Sequence, residues 1–381
     1  MHVFAGEDIQ VGALFMRIIN VALFVGLSTA LVALLPSHRR RTILWGWLVT
    51  LVPLGMFLIP SNNPSGWAIT GVGTAFLALL GWFESAGQRR WALGAIYIVG
   101  MIMAAGARGD SAVYASGATL GATLMSFSGI RSWQRALWLP AAGLVIAVVL
   151  FAMAGQTGVA TTGFTGEAAA PPTQSEEALP PGLSLAVYNL LMLPLLWTGV
   201  WGTWGLGWLD TQPPAIVPWA AVSAFVVVAF AGLGRLDWRK AVTGAGILSV
   251  LIALPVQVLT ASGFKVGTGL QPRYILPLII LFAFVLLTDT TTKGLRFTRL
   301  QTFTILASLA IANIVALQVN IRRYVTGVGQ QGLNLDYGAQ WWWAGFPIGP
   351  LMVWLIGGLA YAGLLVVLWP QLRRTFAVAN H

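Results

Sequence analysis

The sequence predicts an all-α fold: a polytopic bundle of transmembrane helices that crosses the membrane about eleven times. Apolar residues make up 57% of the 381 residues and charged residues only 8%, whereas a soluble domain is nearer a quarter charged. Apolar runs long enough to cross about 30 Å of hydrocarbon recur along the chain. These runs do not alternate apolar and polar residues, which excludes the pattern of a membrane β-barrel.

The apolar runs give the order of the spans within a single transmembrane domain, residues 1–381. The predicted spans are 11–35, 42–60, 64–83, 91–107, 111–128, 136–154, 216–234, 241–262, 274–288, 301–320 and 347–369. Between the sixth and the seventh lies the segment 155–183, which is rich in Pro, Thr, Ser, Ala and Glu. This composition predicts a flexible extracytoplasmic loop.

One further apolar stretch, 184–209, is ambiguous: the run by itself does not show whether it crosses the membrane. The basic residues of the loops decide how it is interpreted. If it does not cross, 15 loop Lys and Arg residues fall on the cytoplasmic side and 5 on the other. If it does cross, the split becomes 11 against 9. Basic residues accumulate in cytoplasmic loops, so residues 184–215 are predicted to be re-entrant or interfacial. The N-terminus is then extracytoplasmic and the C-terminus cytoplasmic, in a bacterial cytoplasmic membrane.

The charge and the cysteine content exclude several functions. The net charge of +10 comes mostly from short loops, so it indicates membrane orientation and not a nucleic-acid partner. The chain has no cysteine, which excludes disulfides, thiol catalysis and thiolate metal sites. Membrane lipids are the expected partners, and the residues leave the oligomeric state open.

Four segments on the predicted outer side carry a family resemblance. They are Met16-Arg-Ile-Ile-Asn20, Pro53-Leu-Gly-Met-Phe-Leu-Ile-Pro-Ser-Asn-Asn-Pro-Ser-Gly66, Gly207-Trp-Leu-Asp-Thr211 and Gly269-Leu-Gln-Pro-Arg-Tyr-Ile-Leu-Pro277. In this order they resemble domain-of-unknown-function family 2142, a family of predicted bacterial membrane proteins. The last two are the most specific.

The resemblance implies a GT-C-like fold, because the family is grouped with the GT-C membrane glycosyltransferases. Such enzymes take a sugar from a polyprenyl-phosphate carrier and transfer it to a cell-envelope acceptor on the extracytoplasmic side. The chain departs from the pattern at Pro272, where the family usually has glycine. The family's N-terminal span and first outer loop, with its acidic motif, also have no counterpart here, so a truncated or inactive relative stays an open interpretation.

Transfer from a lipid phosphate needs a carboxylate to activate the acceptor and cations to stabilise the leaving phosphate. Asp110 and Asp210 are the candidate catalytic carboxylates. The candidate substrate-binding residues are Arg108, Lys265, Gln271, Arg273, Tyr274, Asn62 and Asn63. A divalent cation, Mg²⁺ or Mn²⁺, is compatible with carboxylate and phosphate oxygens, although the sequence identifies no metal ligands.

Each of these residues also has a structural interpretation. Asp110 can form a local ion pair with Arg108, and Asp210 can close a turn before two prolines. Asn62 and Asn63 can cap helix ends. The run Trp341–Trp343 predicts an interfacial aromatic belt, although aromatic rings also stack on sugars.

Arg17 and Asn20 lie one turn apart, which predicts a buried pairing. Two other functions stay open beside the glycosyltransferase: a transporter or flippase for a lipid-linked or small solute, and a non-catalytic subunit in envelope assembly.

Overall fold

The computed structural model describes residues 9–127, 137–153, 182–206, 210–234, 236–288, 297–327, 332–343 and 345–373. The described part is helical and contains no β-strand, only an isolated bridge between Leu206 and Thr211. The helices are α1 (Ile9–Leu34), α2 (Ser37–Leu51), α3 (Leu54–Leu58), α4 (Ser65–Glu84), α5 (Gly87–Ala107), α6 (Gly109–Met125), α7 (Trp138–Met153), α8 (Leu183–Thr198), α9 (Ile216–Leu233), α10 (Trp238–Ala261), α11 (Pro272–Leu287), α12 (Arg299–Val325) and α13 (Pro350–Arg373). The all-α prediction is therefore confirmed.

Eight helical segments of the described chain are long and apolar enough to cross a membrane. They are α1, α4, α5, α9, α10, α12, α13 and the segment Leu183–Trp201, which joins α8 to a 3₁₀ turn. Helices α2, α6, α7 and α11 are only 15 to 17 residues long, or about 25 Å at 1.5 Å per residue. Each predicted span coincides with a helix, and the span at 42–60 divides into α2 and α3 at Pro53. The count of eleven crossings stays a prediction.

Two helices, α4 and α11, form the centre of the bundle. Almost every residue of α11 is buried, and 89% of the apolar window of α4 is buried. Small residues let α4 approach α5 closely. A Cβ placed on Gly71 would lie 2.5 Å from the Ala104 nitrogen, and one on Gly100 would lie 2.9 Å from the Ala75 nitrogen. Glycine is therefore required at both positions for this packing.

Helix α1 lies at the periphery of the bundle. Among its 26 residues only Leu31 is buried, although the helix has a mean hydropathy of 2.0 in its most apolar window. Large apolar side chains such as Leu14 and Ile18 are more than half exposed. A helix that is apolar but not packed against protein fits a lipid environment, and its loose packing leaves a cleft beside it.

The bundle has two ends, which we name by a residue at each. At the Arg108 end, the Arg108 Nη1 donates to Ser65 Oγ over 2.7 Å and links the starts of α4 and α6. At the Glu84 end, the Arg39 Nη2 donates to Glu84 Oε1 over 2.6 Å. The described Lys and Arg residues at the Arg108 end are Arg17, Arg108, Lys265, Arg273, Arg322 and Arg323. Those at the Glu84 end are Arg39, Arg40, Arg41, Arg89, Arg90, Arg239, Lys240, Arg299 and Arg373.

Helix α8 is held by hydrogen bonds at the Arg108 end and in the interior of the bundle. Asn189, near its start, bonds the loop after α10: its Nδ2 donates to Phe264 O over 3.0 Å, and its Oδ1 accepts from Val266 N over 2.9 Å. Beyond its end, the Trp201 Nε1 donates to Val49 O over 3.0 Å, near the end of α2. The chain turns at Gly202, whose φ of +103° favours glycine.

The predicted break in this segment therefore lies at Gly199–Gly202, while Pro194 is contained within α8. Leu183–Trp201 satisfies the length and apolarity of a span, but its contacts lie at the Arg108 end and in the interior. The non-crossing interpretation of 184–215 stays a prediction that these contacts favour. The predicted loop 155–183 lies almost wholly outside the described residues.

Candidate functional site: an arginine-rich end and a lateral cleft

Asp110 is sealed by Arg108 at the turn between α5 and α6. The Arg108 Nε donates to Asp110 Oδ1 over 2.8 Å, and Nη2 contacts Oδ2. The Ser111 backbone N–H also donates to Oδ1, over 2.9 Å, and Asp110 is only 3% exposed. With the bond from Arg108 to Ser65, this ion pair ties three helices together. Its contacts are those of a structural pair, and the predicted catalytic role of Asp110 stays a prediction.

Tyr274 brings a second arginine to the same place. Arg108 lies over the Tyr274 ring at 4.4 Å from its centroid, and Arg273 lies at 5.2 Å. The Arg273 Nη2 donates to the Tyr274 hydroxyl over 3.3 Å, while its buried Nε has no hydrogen-bond partner within the described chain. Arg108, Asp110, Arg273 and Tyr274, four of the predicted site residues, thus come together. Their two guanidinium groups outnumber the single carboxylate, so the cluster carries a net positive charge.

Pro272, the departure from the family pattern, begins α11. A proline is tolerated in the first turn of a helix because no intrahelical partner exists for its missing N–H. Its ring packs closely on Gly199, at the 3₁₀ turn that follows α8. The proline therefore packs the turn that follows α8 against the start of α11.

Lys265 and Gln271 lie in the loop that precedes α11. The Lys265 Nζ lies 5.6 Å from the centroid of the Tyr188 ring, on α8. Gln271 is the N-cap residue of α11 and makes no side-chain cap bond. Both therefore lie at the Arg108 end, and Lys265 contacts α8 there.

The turn before α4 gives the two predicted asparagines different roles. The Asn63 Oδ1 accepts from the Ser65 backbone N–H over 2.9 Å, so this amide supports the helix start, whereas Asn62 is exposed. Asn20 on α1 donates to Ser61 O over 2.7 Å and accepts from Trp67 Nε1 over 2.8 Å. The expected buried pairing of Arg17 with Asn20 is wrong, because Asn20 binds this turn and Arg17 is exposed.

Asp210 pairs with an arginine from the end of α12. The Arg323 Nε donates to Asp210 Oδ2 over 2.8 Å, and Nη2 contacts the same oxygen. Both side chains are 34% exposed. The hydrogen bond from Arg323 lowers the pKa of the Asp210 carboxyl below its ordinary value. Asp210 is therefore ionised at neutral pH. Residues 207–209 of its motif lie outside the described residues.

A lateral cleft of about 1030 Å³ opens beside α1 at the Arg108 end. One wall is the α1 face that carries Arg17, and the opposite wall is the α12 face from Asn313 to Val325. A second, almost wholly apolar cleft of about 460 Å³ reaches Val32 and Leu368, toward the Glu84 end. The two clefts share the lining residues Val21, Val25, Met56 and Pro60. The two clefts therefore adjoin, and the lining residues Arg17, Asn313 and Asn320 belong only to the first.

Asp210 lies next to residues that pair with or follow the lining of this cleft. Leu206 lines the cleft and exchanges two backbone hydrogen bonds with Thr211, of 2.8 and 3.3 Å. Tyr324 lines it beside Arg323. The ion pair between Asp210 and Arg323 therefore lies directly beside residues that form the wall.

The α12 wall carries polar groups that sequence reasoning treated only as part of a span. Asn313 and Asn320 are seven residues apart, so they share one helix face, and both line the cleft. The Asn320 Oδ1 is buried without a partner in the described structure. The signal that could have found them is the pair of amides at helical spacing inside an apolar run, where polar groups are costly.

No metal centre emerges from the described residues. Among them, no three His, Cys, Asp or Glu side chains gather into a group that could hold an ion. Asp110 and Asp210 each bind an arginine, and nothing joins the two carboxylates directly. A divalent cation stays a prediction that the described residues do not assign to any group of three such side chains.

Comparison with protein-family models identifies the chain's relatives. The model of the DUF2142 family, described as a predicted membrane protein, matches residues 1–282. The chain belongs to this family. A search of curated proteins found no match, and a search of solved structures found none either.

The DUF2142 match includes α1, the group formed by Arg108, Asp110, Arg273 and Tyr274, and Asp210. It ends within α11. The α12 wall and Trp341–Trp343 therefore lie beyond the matched part. The cleft in this DUF2142 protein is built from both parts of the chain.

Proposed function

We propose that this DUF2142 protein is a GT-C-type membrane glycosyltransferase that uses a polyprenyl-phosphate-linked sugar. The observation that carries the proposal is the lateral cleft, which is apolar over most of its length and carries Arg17 and two amides at the Arg108 end. An isoprenoid chain needs the apolar part, and a phosphate needs the cation. The GT-C likeness rests on the family resemblance.

The extracytoplasmic face is proposed to be the Arg108 end. Fewer described basic residues lie there than at the Glu84 end, and basic residues accumulate on the cytoplasmic side. Trp341–Trp343, a sequence run typical of membrane interfaces, also line the cleft at this end. On this orientation α8 is re-entrant from the outside.

Asp210 is the better-placed base of the two predicted carboxylates. It is ionised and partly exposed, whereas Asp110 is sealed in its pair. In the proposed reaction an acceptor hydroxyl gives its proton to Asp210, and its oxygen forms a bond to the anomeric carbon. The bond from that carbon to the phosphate oxygen breaks, and polyprenyl phosphate leaves with the electron pair. Arg17 is proposed to stabilise the phosphate.

The test is transfer by the purified full-length chain in lipid nanodiscs, with radiolabelled polyprenyl-phosphate hexose and a set of envelope acceptors. A labelled, lipid-free or acceptor-linked product that depends on Asp210 supports the proposal. The matched control is D237N, because Asp237 caps α10 at the other end and asparagine caps equally well. Loss of transfer in D210N with activity retained in D237N is expected. Equal transfer in D210N and wild type would remove Asp210 as the base.

A lipid flippase or a non-catalytic lipid-binding subunit is the second candidate. One observation favours it: both predicted carboxylates are held by arginine. Movement of a fluorescent polyprenyl-phosphate sugar across proteoliposomes, without any covalent product, would favour the flippase. Binding without movement or transfer would favour the subunit.

A further inference from the structure

Asn320, on the α12 wall of the cleft, carries a side-chain oxygen whose hydrogen-bonding capacity is unused in the described part of this structure. The Asn320 Oδ1 is buried and has no partner among the described residues. A buried carbonyl oxygen without a donor is costly. A phosphate oxygen is itself an acceptor, so it cannot satisfy this amide oxygen, whereas a hydroxyl can donate to it.

Trp341–Trp343 line the cleft near the end of α12, the helix that carries Asn320. Trp341 and Trp343 line it and remain 50% and 49% exposed. Their ring centroids are 5.0 Å apart, at an interplanar angle of 65°. Trp342 is anchored, since its Nε1 donates to Ile348 O over 2.9 Å, and the Trp341 backbone N–H donates to Val325 O over 3.2 Å. Two partly exposed indole faces are thus fixed to the end of α12.

We propose that Asn320, Trp341 and Trp343 form a subsite for the sugar of a glycosylated lipid headgroup. A pyranose offers an apolar C–H face that packs on an indole and hydroxyls that donate to an amide oxygen. The subsite rests on the proposed function, because it assumes that the lipid lies in the cleft.

The proposal also assigns the selection of a glycosylated over a bare phosphate headgroup to the part of the chain beyond residue 282. All three residues lie beyond residue 282, where the family match ends. The matched part supplies Arg17 and the α1 wall. The remaining part supplies the groups that distinguish a sugar from a bare phosphate.

The experiment compares two probes on the full-length chain in nanodiscs: a polyprenyl phosphate and the same lipid carrying one hexose. Native mass spectrometry gives the affinity for each, and the measured quantity is their ratio. Wild type is expected to favour the glycosylated lipid by about tenfold or more, which corresponds to about 1.4 kcal/mol. In W343A and N320L the ratio is expected to fall toward one. W343F keeps an aromatic face and is expected to keep most of the preference.

W219A is the matched control, because Trp219 lies on α9, is 72% exposed and does not line the cleft. It is expected to keep the wild-type ratio. An equal loss of both lipids in W343A would overturn the sugar subsite and make the tryptophans an apolar belt. Equal binding of both lipids by wild type would also overturn the sugar subsite, although the cleft would still be a lipid-binding site. Binding of neither lipid would remove the proposed function itself.

Discussion

Arg323 and Asp210, 113 residues apart in the chain, form an ion pair in which two guanidinium nitrogens contact a single carboxylate oxygen. The pair fastens the turn after α8 to the end of α12. The other oxygen of Asp210 accepts a hydrogen bond of 3.2 Å from the Thr211 hydroxyl. A carboxylate oxygen can accept more than one hydrogen bond, so an acceptor hydroxyl still has a place to bind.

The first prediction concerns the pH dependence of this pair. Because the folded pKa of Asp210 is depressed, its stabilisation is complete above the unfolded value of about 3.9 and is lost as the pH falls through the lower folded pKa. The difference in melting temperature between wild type and D210N should therefore be constant from pH 7 to pH 5 and shrink below about pH 4. A difference that grows on acidification would contradict the assignment.

The second prediction separates the buried ion pair from the exposed one. R108A leaves Asp110 buried without its counter-ion and should cost about 3–5 kcal/mol of unfolding free energy. R323A, which breaks a pair that is a third exposed, should cost at most about 1 kcal/mol. The free energies of unfolding of the two variants and of wild type can be compared by denaturation in mixed micelles. The double variant R108A/D110A should be less destabilised than R108A, because no unpaired charge remains.

The third prediction tests the close approach of α4 and α5. G71A places a Cβ 2.5 Å from the Ala104 nitrogen, which is backbone and cannot rotate away. Overpacking of this kind costs about 1–3 kcal/mol. Gly106, also on α5, is the control, because a Cβ there meets no atom within 4 Å. G106A should melt at or above the wild-type temperature, and equal melting of G71A and wild type would show that the helices are less tightly packed.

The fourth prediction concerns the path of α8. The chain has no native cysteine, so single cysteines can be labelled by membrane-impermeant reagents. Positions 184, at the start of α8, and 203, after its end, are exposed and should label from the same side as position 62. Q88C, at the Glu84 end, should label only from the other side. Opposite labelling of S184C and T203C would make α8 a true crossing.

The fifth prediction tests Arg17. One basic residue near a membrane surface contributes about 1 kcal/mol to binding of an anionic lipid, which is about a fivefold change in affinity. R17Q should therefore bind polyprenyl phosphate about fivefold more weakly than wild type. R89Q removes an exposed arginine from the Glu84 end and is the control for net charge. Equal weakening in both variants would mean that the lipid responds to overall charge and not to the cleft.

The sequence by itself determined the helices and the family. An apolar run of about 20 residues satisfies its backbone hydrogen bonds locally, so it forms a helix whatever its neighbours are. The Arg273-Tyr274 motif and the Gly207–Thr211 motif identified the family because they are local strings of residues. For Arg108, Asp110, Arg273 and Tyr274, the sequence predicted only that they lie on the same side of the membrane. It did not predict that they contact one another.

Tertiary structure decided which of these residues bind one another and which face the cleft. No local pattern pairs Asp210 with Arg323, because their contact depends on how the turn after α8 folds back onto α12. The same packing seals Asp110 and leaves Asp210 partly open, although the two carboxylates look alike in the sequence. Asn320 became a candidate site residue because the loose packing of α1 leaves open space in front of its helix face, and packing of this kind depends on helices distant in sequence.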